Sequence, residues 1–303
     1  MKSVGRIIYD GIDTHIRNKV INTRDFRIWK RENPVLAMCV EYNRRFKNIH
    51  KGERCFILAN GPSLKNDDLS KIDGEIIFGM NLCAKELRMR GVKLKYYMAL
   101  DGIFFRDNSF YQNREDMIDN LKELVEMKGV DCFFPIEVRD FIRGHRFDKQ
   151  LSANYCGPVR LSMNGLNPEE INTCDMSRFR YMSYSISIDA VMAAIYMGFS
   201  EIYLLGCDAS VIKSRVDILM GGSAYNTHFY ENKGDDKGLE SRIKKKGIIS
   251  ELSTEFYSFQ NWNYIRLYCA KHAIKIINLS SSTLLDFIPR KNYSLFCKES
   301  LGS

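Results

Sequence analysis

The sequence lacks most of the patterns that identify common protein classes. Its 303 residues contain no apolar run of about 18 residues, so we expect no membrane-spanning helix. Charged residues interrupt the N-terminal segment every few positions, so we also expect no secretory signal. With only 6 Pro and 20 Gly, the chain is not collagen-like or of low complexity. Its 45% hydrophobic and 27% charged residues are typical of a folded, soluble globular protein.

Cysteine and histidine give no pattern of a metal site or of a disulfide framework. The 9 Cys form no Cys-x-x-Cys pair, and they do not combine with the 5 His at the spacing of zinc ligands. The number of Cys is odd, and several lie in apolar, strand-like runs. We therefore expect reduced, buried thiols, a cytoplasmic location and no metal ion at the functional site.

The motifs of the common nucleotide-binding proteins are also missing. The chain has neither a Walker A pattern nor Gly-x-Gly-x-x-Gly, which disfavours a P-loop nucleotide hydrolase and a standard dinucleotide fold. It has no Asp-x-Asp, the pair with which many nucleotide-sugar transferases hold a divalent metal. A transfer from a nucleotide sugar would therefore rely on protein donors to stabilise the leaving phosphate.

Positive charge is concentrated at the N-terminus. The formal charge of the chain is +8, and residues 1–51 hold 12 Lys/Arg against 5 Asp/Glu. We predict a basic helical extension over 1–50 and one catalytic domain over 51–303. The basic segment is either a solvated helical face or a surface for an anionic membrane, peripheral on the inner face of the plasma membrane. Because no aromatic–basic RNA motif occurs, we expect no nucleic acid partner.

From residue 55 onward, short apolar runs alternate with helical patterns. The apolar runs are 55–59, 75–78, 96–100, 130–134, 201–205 and 274–277. The helical patterns are 83–90, 112–127, 187–197 and 251–272. The alternation predicts an α/β fold with a Rossmann-like parallel sheet flanked by helices. Two polar stretches, 136–182 and 209–248, read as long loops, and the second is the predicted lid.

Polar residues follow the predicted strands at the edge where ligands bind in open α/β sheets. They are Asn60, Gly61, Pro62 and Ser63 after the first run, Asn81 after the second, Asp101 after the third, Gly206 and Asp208 after the fifth, and Ser281 and Ser282 after the sixth. Each of these residue types also forms turns, but their coincidence at one edge predicts a nucleotide pocket. At the first turn, Gly61 permits close backbone approach and exposed amides attract phosphate.

A histidine in the second polar stretch is a candidate general base. His228 lies between Tyr225 and Tyr230 in an aromatic segment, which is unusual for a passive loop. Imidazole can accept a proton from a sugar hydroxyl near neutral pH, and the two phenols can donate to a phosphate oxygen. The alternative is a loop histidine that packs beside aromatic rings.

Four of these segments together resemble a known group of enzymes. Asn60-Gly-Pro-Ser-Leu, Asn81, the run 198–208 and the run 277–287 resemble the bacterial family-42 sialyltransferases. They are also similar to motility accessory factors and hydroxymethylpterin-diphosphokinase-like proteins, a superfamily known as domain of unknown function 115. The resemblance extends over about residues 53–290, but only in short, separate segments.

The resemblance implies a GT-A-like variant of the Rossmann fold with a lid. It also implies metal-free transfer of a sialic-acid-like (nonulosonate) sugar from a CMP-linked donor to a glycan acceptor, in cell-surface polysaccharide or glycoprotein synthesis. The residues implied for donor binding are Asn60, Gly61, Ser63, Asn81, Ser185 and Ser187. The implied catalytic residues are His228 as general base, with Tyr225 and Tyr230 on the leaving phosphate. The sequence departs from the family before the central helix, where Tyr184-Ser185 stands in place of an arginine and Arg178 or Arg180 is nearby.

Two other functions remain open at this stage. The second branch of the resemblance implies ATP-dependent pyrophosphoryl transfer to a pterin alcohol, which needs magnesium and clustered carboxylates. Asp101, Asp208 and the pair Asp235-Asp236 can supply these carboxylates only if the lid brings them together. The third function is a non-catalytic nucleotide-binding module. A glycan or lipid-linked acceptor and a homo-oligomeric state are both compatible with the sequence.

Overall fold

A computed structural model describes residues 14–106, 113–164, 166, 175–223, 228–230 and 236–300. Seven strands of these residues form one parallel sheet in the order β5-β4-β3-β2-β1-β8-β9, and β6 and β7 form a separate pair. The strands are β1 (Arg54–Leu58), β2 (Ile77–Met80), β3 (Tyr96–Met98), β4 (Asp131–Pro135), β5 (Ser152–Cys156), β6 (Val159–Leu161), β7 (Arg180–Tyr181), β8 (Glu201–Leu205) and β9 (Lys275–Asn278). The predicted α/β fold class is confirmed.

Helices cover both faces of the sheet. They are α1 (Thr14–Val20), α2 (Phe26–Glu32), α3 (Pro34–Glu41), α4 (Ala84–Met89), α5 (Asn113–Met127), α6 (Arg139–Gly144), α7 (Ile186–Met197), α8 (Val211–Leu219), α9 (Asp236–Lys271) and α10 (Tyr293–Ser300). Helix α9 is broken at Gly247, whose φ of 74° is not helical. In the described part of the chain, no helix is both long enough and apolar enough to cross a membrane.

The two faces of the sheet bury separate apolar cores. Side chains of a strand alternate between faces, so Ile57 packs in one core while Phe56 and Leu58 pack in the other. Both faces are covered, which explains why these strands read as continuous apolar runs rather than alternating ones. The first core surrounds α7, whose sequence is apolar all round and which has ten of its 12 residues buried. This helix ends at Gly198, which takes the left-handed conformation (φ 92°) that favours glycine.

The direction of chain progression reverses beside β1. From β1 the chain moves outward through β2, β3, β4 and β5 on one side, whereas β8 and β9 lie on the other side. Strands β1 and β8 pair in parallel from Arg54 with Glu201 to Leu58 with Leu205. The loops after β1 and β8 therefore leave the sheet in opposite directions. Such a point opens a crevice at the carboxyl ends of the strands, where ligands bind in this fold class.

The two polar stretches contain more regular structure than the sequence indicates. The stretch 136–182, predicted as an irregular loop, includes α6, β5, β6 and β7. The stretch 209–248, predicted as a lid, includes α8 and the first part of α9, together with residues outside the described ranges. Strand β5 was missed because its sequence, Ser152-Ala-Asn-Tyr-Cys156, contains polar residues that its position at the sheet edge tolerates.

The described part of the basic extension packs on the rest of the protein. Phe26 is buried in the same core as α7. The amide of Asn43, which is fully buried, donates to the carbonyls of Tyr155 at 2.8 Å and Met176 at 3.1 Å. Asn18 exchanges two hydrogen bonds with the backbone of Ser162. The helices α1 to α3 are therefore a fixed part of the molecular surface.

Candidate functional site

A cleft opens at the carboxyl ends of β1 and β8, where the chain direction reverses. The empty space inside it, which includes open solvent, is about 830 Å³. Its walls are the turns after β1, β2 and β8, the first turn of α7, helix α8, His228 and the middle of α9. We call it the central cleft. Five sequence-predicted segments converge here, namely those at Asn60, Asn81, Ser185, Asp208 and His228.

Two glycines let the ends of β1 and β8 approach each other. The N–H of Gly61 donates to the carbonyl of Gly206 at 2.8 Å. A Cβ atom at Gly61 would lie 2.5 Å from that carbonyl oxygen and 2.5 Å from Cγ of Asp208. A Cβ atom at Gly206, whose φ is 64°, would lie 2.6 Å from the carbonyl oxygen of Ala59. Both positions therefore require glycine for close backbone approach.

Asp208 fixes the turn after β1 rather than presenting a free carboxylate. Its side chain is buried (3% exposed), and Oδ2 accepts from the N–H of Ser63 at 2.8 Å. Its Oδ1 accepts from the hydroxyl of Ser63. Burial raises the pKa of Asp208, and the two hydrogen bonds from Ser63 oppose that rise. Asp208 lines the central cleft, whereas Pro62 and Ser63 do not.

Two asparagines that line the central cleft carry unpaired polar atoms. Asn60 is 9% exposed, and Asn81 takes a left-handed conformation with φ 53°. Within the described residues, the side-chain Oδ1 atoms of both are buried and have no hydrogen-bond partner. A buried unpaired acceptor costs about 1–3 kcal/mol, so a ligand that donates to these atoms recovers that cost. An amide also carries two donors, so each asparagine can match a base or sugar edge that has both.

The first turn of α7 adds the positive end of a helix dipole. Ser185 precedes the helix but makes no capping hydrogen bond, because its hydroxyl pairs with the hydroxyl of Ser187 at 2.8 Å. The first backbone N–H groups of a helix are therefore left for an anion at the cleft. Tyr184 turns the chain into the helix with a φ of 60°. Its ring stacks on Tyr257 of α9 with centroids 5.4 Å apart.

A residue that the sequence analysis missed holds this turn in place. Asn261 of α9 is fully buried, and its amide donates to the carbonyls of Met182 at 3.0 Å and Ser183 at 3.1 Å. It thereby fixes the segment that leads into Ser185. The only sequence signal was an asparagine inside a long helix, where this residue type is unfavourable unless its side chain has a partner.

His228 lies in the wall of the central cleft beside Asn60. The N–H of the next residue, Phe229, donates to the carbonyl of Asn60 at 2.9 Å. Burial lowers the pKa of His228, and the backbone of Asn60 opposes that change. The imidazole is therefore neutral near pH 7 and able to accept a proton.

Of the two tyrosines predicted to act with His228, only Tyr230 lies within the described residues. Tyr225 lies outside the described residues. Tyr230 is buried (7% exposed) and does not line the cleft; its ring stacks on the imidazole of His228 with centroids 5.0 Å apart and planes 15° apart. Burial also raises the pKa of Tyr230. In this position the tyrosine orients the histidine ring, and the structure does not bring it to a phosphate in the cleft.

A charged cluster that could not be identified from the sequence forms another part of the wall. Arg215 of α8 pairs through Nη1 with Oε1 of Glu255 at 2.6 Å and with Oε2 of Glu251 at 3.2 Å. Arg215 and Glu255 line the central cleft. Burial raises the pKa of Glu255, while Arg215 lowers it and Glu251 raises it further. The spacing of the two glutamates by one helical turn was visible in the sequence, but their partner on another helix was not.

The predicted serines after β9 lie away from the central cleft. Ser281 and Ser282 are exposed, and the carbonyl of Ser281 accepts from Arg290 at 3.2 Å. Their neighbour Ser280 is the buried one, and its hydroxyl accepts from the N–H of Cys207 at 2.8 Å. The loop after β9 therefore supports the turn after β8 from outside, and it does not reach the ligand space.

A second, larger cleft adjoins the first. Its empty volume is about 1,520 Å³, and we call it the outer cleft. The residues that line both clefts are Asn81, Tyr184, Ser185, Ile186 and Arg215. Asp101 lies in the outer cleft, where its carboxylate accepts from the N–H of Ile103 at 3.0 Å. Two ligands can therefore sit side by side across a shared wall.

The carboxylates considered for a metal are not assembled in the described residues. Asp208 is engaged by Ser63, and Asp101 lies in the outer cleft. Asp235 is outside the described ranges, as is the side chain of Asp236. Among the described residues, no group of three or more His, Cys, Asp and Glu side chains is arranged to hold a metal ion.

Comparison with known proteins gives likeness only to solved structures. No protein-family model matches the chain, and no curated protein sequence matches it. A MAf glycosyltransferase from Magnetospirillum magneticum AMB-1 is similar over 85% of this chain, with 12% identity and a TM-score of 0.46; the match spans 38% of that protein.

Two sialyltransferases from Campylobacter jejuni are also similar. CstII, solved with cytidine-5'-monophosphate, has 16% identity and a TM-score of 0.43, with 80% of this chain and 88% of that chain covered. The monofunctional alpha-2,3-sialyltransferase Cst-I has 17% identity and a TM-score of 0.44, with 78% and 79% covered. At these scores the likeness assigns neither substrate nor activity, which have to come from the residues of the clefts.

Proposed function

We propose that the protein is a glycosyltransferase that moves a sugar from a nucleotide-linked donor to a glycan or lipid-linked acceptor. The observation that carries the proposal is the pair of adjoining clefts at the point where the sheet reverses. A transferase needs two substrates within bonding distance, and the shared wall at Ser185 and Asn81 provides that arrangement.

The central cleft is the proposed donor site. Asn60 and Asn81 supply unpaired amide oxygens for the polar edge of a base or for sugar hydroxyls. The first turn of α7 faces the same space and favours a phosphate. The sequence resemblance favours a CMP-linked, sialic-acid-like donor, and we propose this donor for the protein.

His228 is the proposed general base. An acceptor hydroxyl in the outer cleft would attack the anomeric carbon of the donor sugar. The bond from that carbon to the phosphate oxygen would break, and the hydroxyl proton would pass to the neutral imidazole of His228. The nucleoside monophosphate would leave with the bonding electron pair, and the N–H groups at the start of α7 would stabilise its charge.

The test is a thermal-shift panel of cytidine, uridine, guanosine and adenosine nucleotides, with and without magnesium. A ligand that binds the folded state raises the melting temperature by mass action, so the panel identifies the nucleotide before the acceptor is known. We expect cytidine monophosphate to give the largest shift, without a need for magnesium. A shift with adenosine triphosphate that is lost on chelation would instead support pyrophosphoryl transfer, and no shift with any nucleotide would contradict both functions.

Replacement of Asn60 by alanine is expected to weaken nucleotide binding. Loss of one or two hydrogen bonds from a buried amide costs about 1–3 kcal/mol, which corresponds to an affinity loss of about 5- to 150-fold. Isothermal titration with CMP measures the change. The matched control is Asn263→Ala on α9, because Asn263 bonds only to Arg266 in the described structure and does not line the central cleft. Unchanged affinity in Asn60→Ala would remove the turn after β1 from the site.

We also propose that the N-terminal helices bind an anionic membrane surface, which would bring the enzyme to lipid-linked acceptors. Val35, Met38 and Tyr42 are 56%, 69% and 62% exposed, and their spacing places them on one face at the end of the basic segment. Exposed Arg27 and Arg31 lie on the preceding helix α2. Apolar side chains among basic ones are the composition of interfacial helices.

Sedimentation with vesicles tests the membrane proposal. The protein is expected to bind vesicles that contain phosphatidylserine and to release them at high salt. Because each Lys or Arg near such a surface contributes about 1 kcal/mol, the double variant Arg27→Gln, Arg31→Gln should lose about 30-fold in partitioning. The control is Lys93→Gln, an exposed residue between α4 and β3. Equal binding to neutral phosphatidylcholine vesicles, or no loss in the double variant, would contradict the proposal.

A further inference from the structure

One cation faces the ligand space of the central cleft. Of the described residues that line this cleft, Arg215 is the only Lys or Arg. Its side chain is 20% exposed, and it also lines the outer cleft. It therefore stands where the two ligand spaces meet, which is the place of the bond that a transferase breaks.

Two glutamates hold the guanidinium of Arg215. Glu251 and Glu255 occupy successive turns of α9, their side chains are 4% and 12% exposed, and both pair with Nη1 of Arg215. Oε1 of Glu251 and Nη1 of Arg215 are both buried without a hydrogen-bond partner among the described residues, although Nη1 lies within ion-pair distance of both carboxylates. Among the described residues, two carboxylates thus face one guanidinium, whose Nη1 makes no well-formed hydrogen bond to either of them.

Two buried carboxylates beside one guanidinium are an unfavourable arrangement for a purely structural ion pair. A buried pair has to recover the cost of taking both charges out of water, and a second carboxylate adds repulsion to that cost. Burial raises the pKa of Glu255, Arg215 lowers it and Glu251 raises it further, so the guanidinium only partly offsets the cost of the buried carboxylate. An anion in the cleft would offer Arg215 a partner without this repulsion. The guanidinium also matches phosphate oxygens with two parallel hydrogen bonds.

We propose that Arg215 binds the phosphate of the donor nucleotide and that Glu255 competes with this phosphate for the guanidinium. The inference rests on the proposed function, because it assigns the phosphate of the same donor. The phosphate contacts Arg215 and the first turn of α7, the two positive groups that line the central cleft among the described residues. Glu251 positions Arg215 while the site is empty.

Isothermal titration of CMP and of cytidine tests the assignment, because the two ligands differ only in the phosphate. The wild type is expected to bind CMP more tightly than cytidine. In Arg215→Met, CMP affinity should fall about 10- to 150-fold, as for the loss of charge-assisted hydrogen bonds, while cytidine affinity stays unchanged. Arg215→Lys keeps the charge but loses the paired donors, so it should recover part of the preference for CMP. Glu255→Gln removes the competitor and should tighten CMP binding but not cytidine binding.

The control for the loss of one positive charge is Lys213→Met. Lys213 lies on the same helix α8, is exposed and does not line the central cleft. The affinities of Lys213→Met for CMP and cytidine should therefore equal those of the wild type. If Arg215→Met weakens both ligands equally, or leaves the ratio of their affinities unchanged, Arg215 is not the phosphate ligand. If Arg215→Met does not fold, unchanged ratios in Arg215→Lys and Glu255→Gln overturn the assignment in the same way. A wild type that binds neither CMP nor cytidine contradicts the proposed donor itself, which separates that failure from failure of the arginine assignment.

Discussion

Replacing His228 with alanine is expected to lower kcat by about 100- to 10,000-fold while nucleotide affinity changes little. A general base acts on the acceptor proton only in the transition state, so its removal affects turnover and not ground-state binding of the donor. His228 lines the central cleft, and burial lowers the pKa of its imidazole, which favours the neutral form that the proposed role requires. Release of CMP from the donor, measured with saturating acceptor, gives kcat, and titration gives the affinity.

The pH profile of the wild type gives an independent check on the same residue. The base is active when it is neutral, so kcat should fall as the pH drops through the pKa of His228. Burial lowers that pKa from its usual value of 6.5, so the acid limb should lie below pH 6.5 and disappear in His228→Ala.

A control histidine separates the effect of the base from a general loss of fold. His272 is exposed just after α9, where its ring stacks on Tyr268 with centroids 4.1 Å apart, so His272→Ala should keep full activity. A parallel loss of kcat and of nucleotide affinity in His228→Ala would make this residue part of the binding wall instead. Retained kcat would exclude it as the base.

Six of the seven strands of the main sheet could be predicted from the sequence because they are almost entirely buried, whereas the edge strand β5 was missed. The predicted runs 55–59, 130–134 and 201–205 match β1, β4 and β8 to within one residue at either end. The sequences of β6 and β7 contain no such apolar run. These strands have three and two residues and form a separate pair outside the main sheet. Short strands with half-buried side chains carry too little periodicity to be distinguished from loops.

The residues of the central cleft that directly follow strands could be predicted from the sequence. The contacts between residues far apart in the sequence could not. Asn60 and Asn81 follow buried runs directly, so the rule for open sheets places them in the cleft. The bond between Ser63 and Asp208 joins residues 145 positions apart, and the pair of Arg215 with Glu255 joins two different helices. Helical spacing identifies which residues share a face, but it does not say which element packs against that face.

Replacing Gly61 with alanine is expected to be the most damaging single change to the central cleft. The added Cβ would lie 2.5 Å from the carbonyl oxygen of Gly206, a backbone atom that cannot move without breaking the pairing of β1 with β8. It would also displace Asp208, whose carboxylate holds Ser63. Overpacking alone costs about 1–3 kcal/mol, and the loss of a buried hydrogen bond to a charged group adds about 1.5–3 kcal/mol.

Gly102, which lines the outer cleft, provides the control for this change. A Cβ at Gly102 meets nothing within 4 Å, so Gly102→Ala tests the chemical change without the clash. For a chain of this size, about 3 kcal/mol corresponds to a fall of about 5 °C in Tm, which we expect for Gly61→Ala together with loss of CMP binding. Gly102→Ala should show neither. If Gly61→Ala kept both the Tm and the CMP affinity of the wild type, the turns after β1 and β8 would not be in contact, and the central cleft would lack the geometry on which donor binding depends.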